Sequence, residues 1–112
     1  MDKDKAYILH ILDEIENIKQ FLLGVDFDAL INDIKTAKAI ERSLEIIGEA
    51  AKNLSEKFKE ETKEIPWREV VGLRDKIIHH YFDVDYKTIW DIVQNDLPEL
   101  EKILEKDRKS VV

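Results

Sequence analysis

A chain of 112 residues is enough for one domain with a modest core. Its residues are 44% hydrophobic and 38% charged, which excludes a disordered chain, and no apolar run approaches the roughly 20 residues of a membrane span. With no cysteine and a net charge of −7, disulfides, thiolate nucleophiles and thiolate zinc sites are excluded, and a broad nucleic-acid-binding surface, normally basic, is disfavoured.

The first residues, Met1-Asp2-Lys3-Asp4-Lys5, lack the apolar stretch of a signal peptide, so the expected location is cytoplasmic. Ile8, Ile11, Leu12, Ile15, Ile18 and Leu22 then recur at spacings of three and four, predicting a first helix that Gly24 ends. Leu30, Ile34, Ala37, Ile40, Leu44, Ile47, Ala51 and Leu54 continue that rhythm for about seven turns of a second helix. Gly48 lies within this stripe, either allowing a close helix approach or simply tolerated there. Residues 55–64 are highly charged and read as a solvated connection, either irregular or carrying a frayed turn. Pro66 fits the first turn of a third helix from Trp67 to Phe82. Asp85 is the candidate N-cap of a fourth helix carrying Tyr86, Ile89, Trp90 and Val93. Asn95-Asp96-Leu97-Pro98 should restart or kink that helix, with Leu100, Ile103 and Leu104 completing its stripe. The expected architecture is all-α, an antiparallel bundle of roughly four to five helices in a single domain. Phe58, Trp67 and Trp90 are candidate core or dimer-interface residues, with core the preferred reading.

The third helix breaks simple core patterning. At about 100° per residue, Val70, Val71, Leu73, Ile77, Ile78 and Tyr81 share one apolar arc, and Arg74 falls inside it. A charge among apolar neighbours needs a partner, either an acid on another helix or a ligand. His79 lies about 140° round the helix from Arg74 and roughly 7.5 Å along it. One straight helix does not bring the two side chains to one small group, whereas a twofold dimer packing two such helices together could. His79, Asp83 and Asp85 also suggest a metal site. That reading is the weaker one, because His79 and His80 diverge by about 100° and no further histidine or cysteine is close in sequence. No metal and no cofactor are expected.

The run Arg74-Asp75-Lys76-Ile77-Ile78-His79-His80-Tyr81 resembles the Arg-x4-His-x-Tyr motif of HepT-type HEPN ribonuclease toxins. The continuation Phe82-Asp83-Val84-Asp85 through Trp90, the block Leu44-Glu45-Ile46-Ile47-Gly48-Glu49-Ala50-Ala51 and the pair Pro66-Trp67 are similar to the family's flanking blocks, so the likeness spans nearly the whole chain. The resemblance implies a HEPN-like bundle, a homodimer, and a metal-independent endoribonuclease acting on RNA such as tRNA or mRNA. In that role Arg74 would hold the scissile phosphate, and His79 would act as general base or acid. Asp75 and His80 would be supporting residues, although Asp75 stands where relatives often carry Asn. An acid there could pair with Arg74 and weaken its hold on phosphate. By the same resemblance Tyr81, which by pattern alone is a packed aromatic, would accept AMP from an MNT-type nucleotidyltransferase antitoxin. The alternative function is a non-catalytic helical module that binds such a nucleotidyltransferase. A nucleotide-binding domain is a distant third, because no glycine-rich phosphate loop is present.

Overall fold

Short polar side chains decide where four of the helices start. In this computed structural model the described residues are 2–78 and 85–110, and they form helices and turns without a strand. Helix α1 spans Asp2–Phe21 and gives way to a turn closed by Gly24 at φ +72°, a left-handed conformation that suits glycine. Asp26 caps a single turn, α2 (Phe27–Leu30), by accepting from the Ala29 N–H at 2.8 Å. Asp33 caps α3 (Ile34–Lys52) through the Thr36 N–H and hydroxyl, at 3.1 and 2.6 Å. Ser55 caps α4 (Glu56–Glu61) by accepting from the Phe58 N–H at 3.1 Å. The Pro66 carbonyl accepts the first bonds of α5 (Trp67–Val71), and α6 (Leu73–Ile78) follows after a turn at Gly72. Asp85 caps α7 (Tyr86–Asp91), which runs through a π-helical segment, Ile92–Asp96, into α8 (Leu97–Ser110).

Three expectations change. The second helix does not run unbroken from Leu30, because the Asp33 cap restarts the chain between Leu30 and Ile34, although both residues keep the helical spacing. The turn in the charged stretch 55–64 is a formed helix rather than a frayed one. Ser55 nucleates a helical turn there, and Phe58 carries that turn into the core. The third helix is interrupted at Gly72 (φ −77°, ψ −2°), while the Gly72 N–H still bonds Arg68 O at 3.1 Å and Gly72 O accepts from Lys76 at 3.0 Å. The expected irregularity before Pro98 is present as the π segment, in which the Leu97 N–H reaches back to Ile92 O. Proline has no N–H to offer a regular helix, and a π turn is one way to absorb that loss.

Two long-range contacts fix the directions of the long helices. The Asp4 carboxylate accepts from the Ser55 N–H at 2.8 Å and from its hydroxyl at 2.6 Å. The start of α1 therefore lies beyond the end of α3, and the two helices are antiparallel. Lys19, near the end of α1, bonds Glu101, near the start of α8, at 2.7 Å, so α8 also opposes α1. The first apolar stripe (Ile8, Ile11, Leu12, Ile15, Ile18) and that of α3 (Ala37, Ile40, Leu44, Ile47, Ala51) bury into one core with Leu30, Val70, Leu73, Ile89, Leu97, Leu100 and Leu104. Phe58 and Trp67 join that core, whereas Trp90 is only half-buried, edge-on to Phe27 with ring centres 5.7 Å apart. Gly48 is buried in α3.

Candidate active site

The motif begins on α6, whose anchorage comes from the residues before it. Trp67 is buried, and its indole N–H donates to Thr62 Oγ1 at 3.0 Å, which ties the start of α5 to the end of α4. Val70 and Leu73 bury their side chains, and α6 packs against α3 and α5. Arg74 sits one residue beyond Leu73 on this anchored helix, with Asp75 and Lys76 exposed after it. The Arg74 side chain lies outside what the structure describes, as do His79, His80, Tyr81 and Asp83.

The chain resumes at Asp85, which is held firmly. One carboxylate oxygen accepts from the Thr88 N–H at 3.0 Å and the other from the Thr88 hydroxyl at 2.7 Å. This confirms the expected cap and fixes the start of α7, whose Ile89 is buried and which also packs on α3. Helix α3 is therefore the common platform for the two ends of the motif. Its own block, Leu44 to Ala51, is largely buried.

The same cap bears on the metal alternative. Both Asp85 oxygens already serve α7, and no group of three or more potential ligands comes together among the described residues. The third histidine, His10, which the sequence patterning does not single out, stands on α1 edge-on to Tyr7 with ring centres 6.3 Å apart. It borders a shallow depression with Arg42, Glu45 and Asn53. Arg42 there already pairs with Glu45 at 3.2 Å. No helix of the described residues is long and apolar enough to cross a membrane.

Comparison with known proteins decides the family. The model described as "Ribonuclease HepT-like" matches residues 11–106, which include Arg74, His79 and Tyr81. The chain belongs to the HepT-like ribonuclease family. It is 43% identical to "Putative RNase TTE0752" of Caldanaerobacter subterraneus subsp. tengcongensis over 112 residues, covering 96% of this chain and 100% of that one. It is 46% identical to "Probable ribonuclease HepT" of Thermococcus cleftensis over 105 residues, 94% of this chain and 96% of the relative. A third relative, "Putative RNase MJ0127" of Methanocaldococcus jannaschii, is 45% identical over 89% of this chain and 86% of its own. No solved structure gives a significant match. These matches support a ribonuclease, and the all-helical bundle agrees with the fold that the motif implied.

Proposed function

We propose that this HepT-like protein is a metal-independent endoribonuclease that acts as a twofold dimer and serves as the toxin of a toxin–antitoxin pair. The observation that carries the reading is the Arg74-x4-His79-x-Tyr81 run within a chain that matches the family along most of its length. In this reading His79 accepts the proton of a ribose 2′-hydroxyl as that oxygen attacks the adjacent phosphorus, or donates a proton to the departing 5′-oxygen. A dimer supplies two copies of His79, so one can act as base and the other as acid. Arg74 donates several hydrogen bonds to the phosphate and stabilises the charge gathering on it. The products would be a 2′,3′-cyclic phosphate and a free 5′-hydroxyl. No cofactor takes part.

Tyr81, two residues beyond His79, is the proposed acceptor of AMP from an MNT-type nucleotidyltransferase antitoxin. Adenylate added there places negative charge and bulk beside the phosphate-binding groups and shuts RNA out. The acidic net charge supports a focused site over a broad RNA-gripping face. It also favours the second reading, a non-catalytic module that binds the nucleotidyltransferase.

The deciding experiment incubates unmodified protein with total RNA and tRNA in EDTA, beside His79→Ala and Arg74→Ala. Cleavage by the wild type alone, with each variant slower by about 10²–10⁴-fold, supports the ribonuclease reading. No cleavage from a folded dimer that mass spectrometry shows to lack adenylate would replace it with the binding-module reading.

A further inference from the structure

A cleft of about 400 Å³ opens between α5–α6 on one side and the π segment and the start of α8 on the other. Its floor is apolar, made by Ile65, Val70, Leu73, Ile92, Leu97 and Leu100. Among the described residues, its exposed rim carries four acids, Glu64, Glu69, Asp96 and Glu99, and one base, Lys76. The size falls within the roughly 300–1,000 Å³ of ordinary binding pockets, which is room for a few apolar side chains rather than for a whole helix.

The charge on the rim selects the occupant. RNA phosphates would meet these four carboxylates and be repelled. A second copy of this chain, itself at −7, brings mostly the same sign. An apolar floor within an acidic rim instead suits an amphipathic helix whose apolar side chains recur at i, i+3 or i+4 and i+7, flanked by Lys or Arg. We infer that this cleft is a docking groove for a basic amphipathic helix of a partner protein. The occupant would touch Leu73 of α6 and Ile92 of the π segment, so it would rest on the elements that precede and follow the motif. The inference depends on no step of RNA cleavage, and its test reads binding alone.

The probe is a synthetic helical peptide with leucines at that spacing and lysines elsewhere. It is compared with a version carrying alanine for leucine and one carrying glutamate for lysine, each titrated into the isotope-labelled full chain by NMR. The Leu/Lys peptide should shift amides in residues 65–76 and 92–100, and both altered peptides should bind about tenfold more weakly or worse. In the protein, Glu69→Lys with Asp96→Lys and Glu99→Lys should weaken the Leu/Lys peptide by about tenfold or more. The same charge change at exposed Asp13, Glu16 and Glu60 should stay within about threefold. Shifts away from the cleft, equal loss from the two triple variants, or equal binding of the alanine peptide would each overturn the inference. So would self-association of the chain through these residues. The peptide series on the unaltered protein decides the matter even if the rim variant folds poorly.

Discussion

The Trp67 indole N–H and the Thr62 hydroxyl form a buried relay: Trp67 donates to Thr62 Oγ1 at 3.0 Å, and that hydroxyl donates to Phe58 O at 2.8 Å. One side chain on the turn between α4 and α5 thus satisfies groups from both helices, with the Trp67 and Phe58 ring centres 5.9 Å apart above it. Thr62→Val leaves an indole N–H and a carbonyl unpaired in the core, whereas Trp67→Phe removes a donor but leaves the hydroxyl its other partner. Thr62→Val should therefore destabilise by about 2–3 kcal/mol. The Trp67→Phe loss also includes apolar contact, so a double-mutant cycle is the measurement that isolates the hydrogen bond, at about 1 kcal/mol. A coupling near zero by urea denaturation would show that the relay contributes nothing to stability.

Asp4 and Ser55 make a second long-range tie, this one sensitive to pH. Burial alone would raise the Asp4 pKa, but hydrogen bonds from the Ser55 hydroxyl and N–H, aided by the positive N-terminus and Lys59, bring it below the usual 3.8. A carboxylate depressed in the folded state contributes its stability above the unfolded pKa and loses it as pH falls through the folded one. Asp4→Asn should therefore be destabilising at pH 7, and the gap from wild type should close below about pH 3.8. Thermal melts across that range would show the convergence. A gap that stays constant in acid would mean that the side chain's shape matters and its charge does not.

Asp75 is exposed immediately after Arg74. Under the ribonuclease reading its charge opposes the approach of phosphate. Asp75→Asn should raise RNA cleavage by about fivefold at low salt, the rate equivalent of roughly 1 kcal/mol between neighbouring charges in water. Cleavage rates measured from low to high salt should converge, because added ions screen that repulsion. A slower Asp75→Asn enzyme would instead assign the carboxylate a positive part in the site.

Under the toxin reading, Tyr81→Phe should separate chemistry from control. The variant should cut RNA at a rate within about threefold of wild type, since the phenol oxygen is given no part in proton transfer. It should accept no labelled AMP from the nucleotidyltransferase and stay active in its presence. Loss of cleavage without any modification would move Tyr81 into the reacting machinery.

Much of this fold is legible from spacing. Most residues of the first two stripes bury as their periodicity predicts, because a stripe of Ile and Leu at three and four faces a core, but Ile34, at the start of α3, stays 58% exposed. Asp85 is readable as a cap because two Asp residues and a break in the apolar pattern precede Tyr86. The helical turn at Ser55 is not, since Phe58 is the lone large apolar residue among ten and gives no period to detect. The restart at Asp33 is hidden for the opposite reason: Leu30 and Ile34 keep the spacing of one helix although the cap lies between them. The candidate site is legible as a motif and a family through Arg74, His79 and Tyr81 taken together with their flanks. The acidic cleft is not, because its walls come from residues 64–76 and 92–103, which only the fold brings together.

The π segment puts the last helix in two reading frames. Ile89 and Ile92 keep one helical phase, and Leu97, Leu100 and Leu104 keep another, with a step of five positions rather than four from Ile92 to Leu97. Removing one residue from 93–96 would merge them into a single uninterrupted phase, which marks the segment as a one-residue surplus held inside a helix. Merging them would also draw Pro98 into a regular helical interior, where its ring meets the carbonyl four residues back. The extra residue thus accommodates the proline: a chain that lost the surplus residue alone would leave the proline to bend or break the helix.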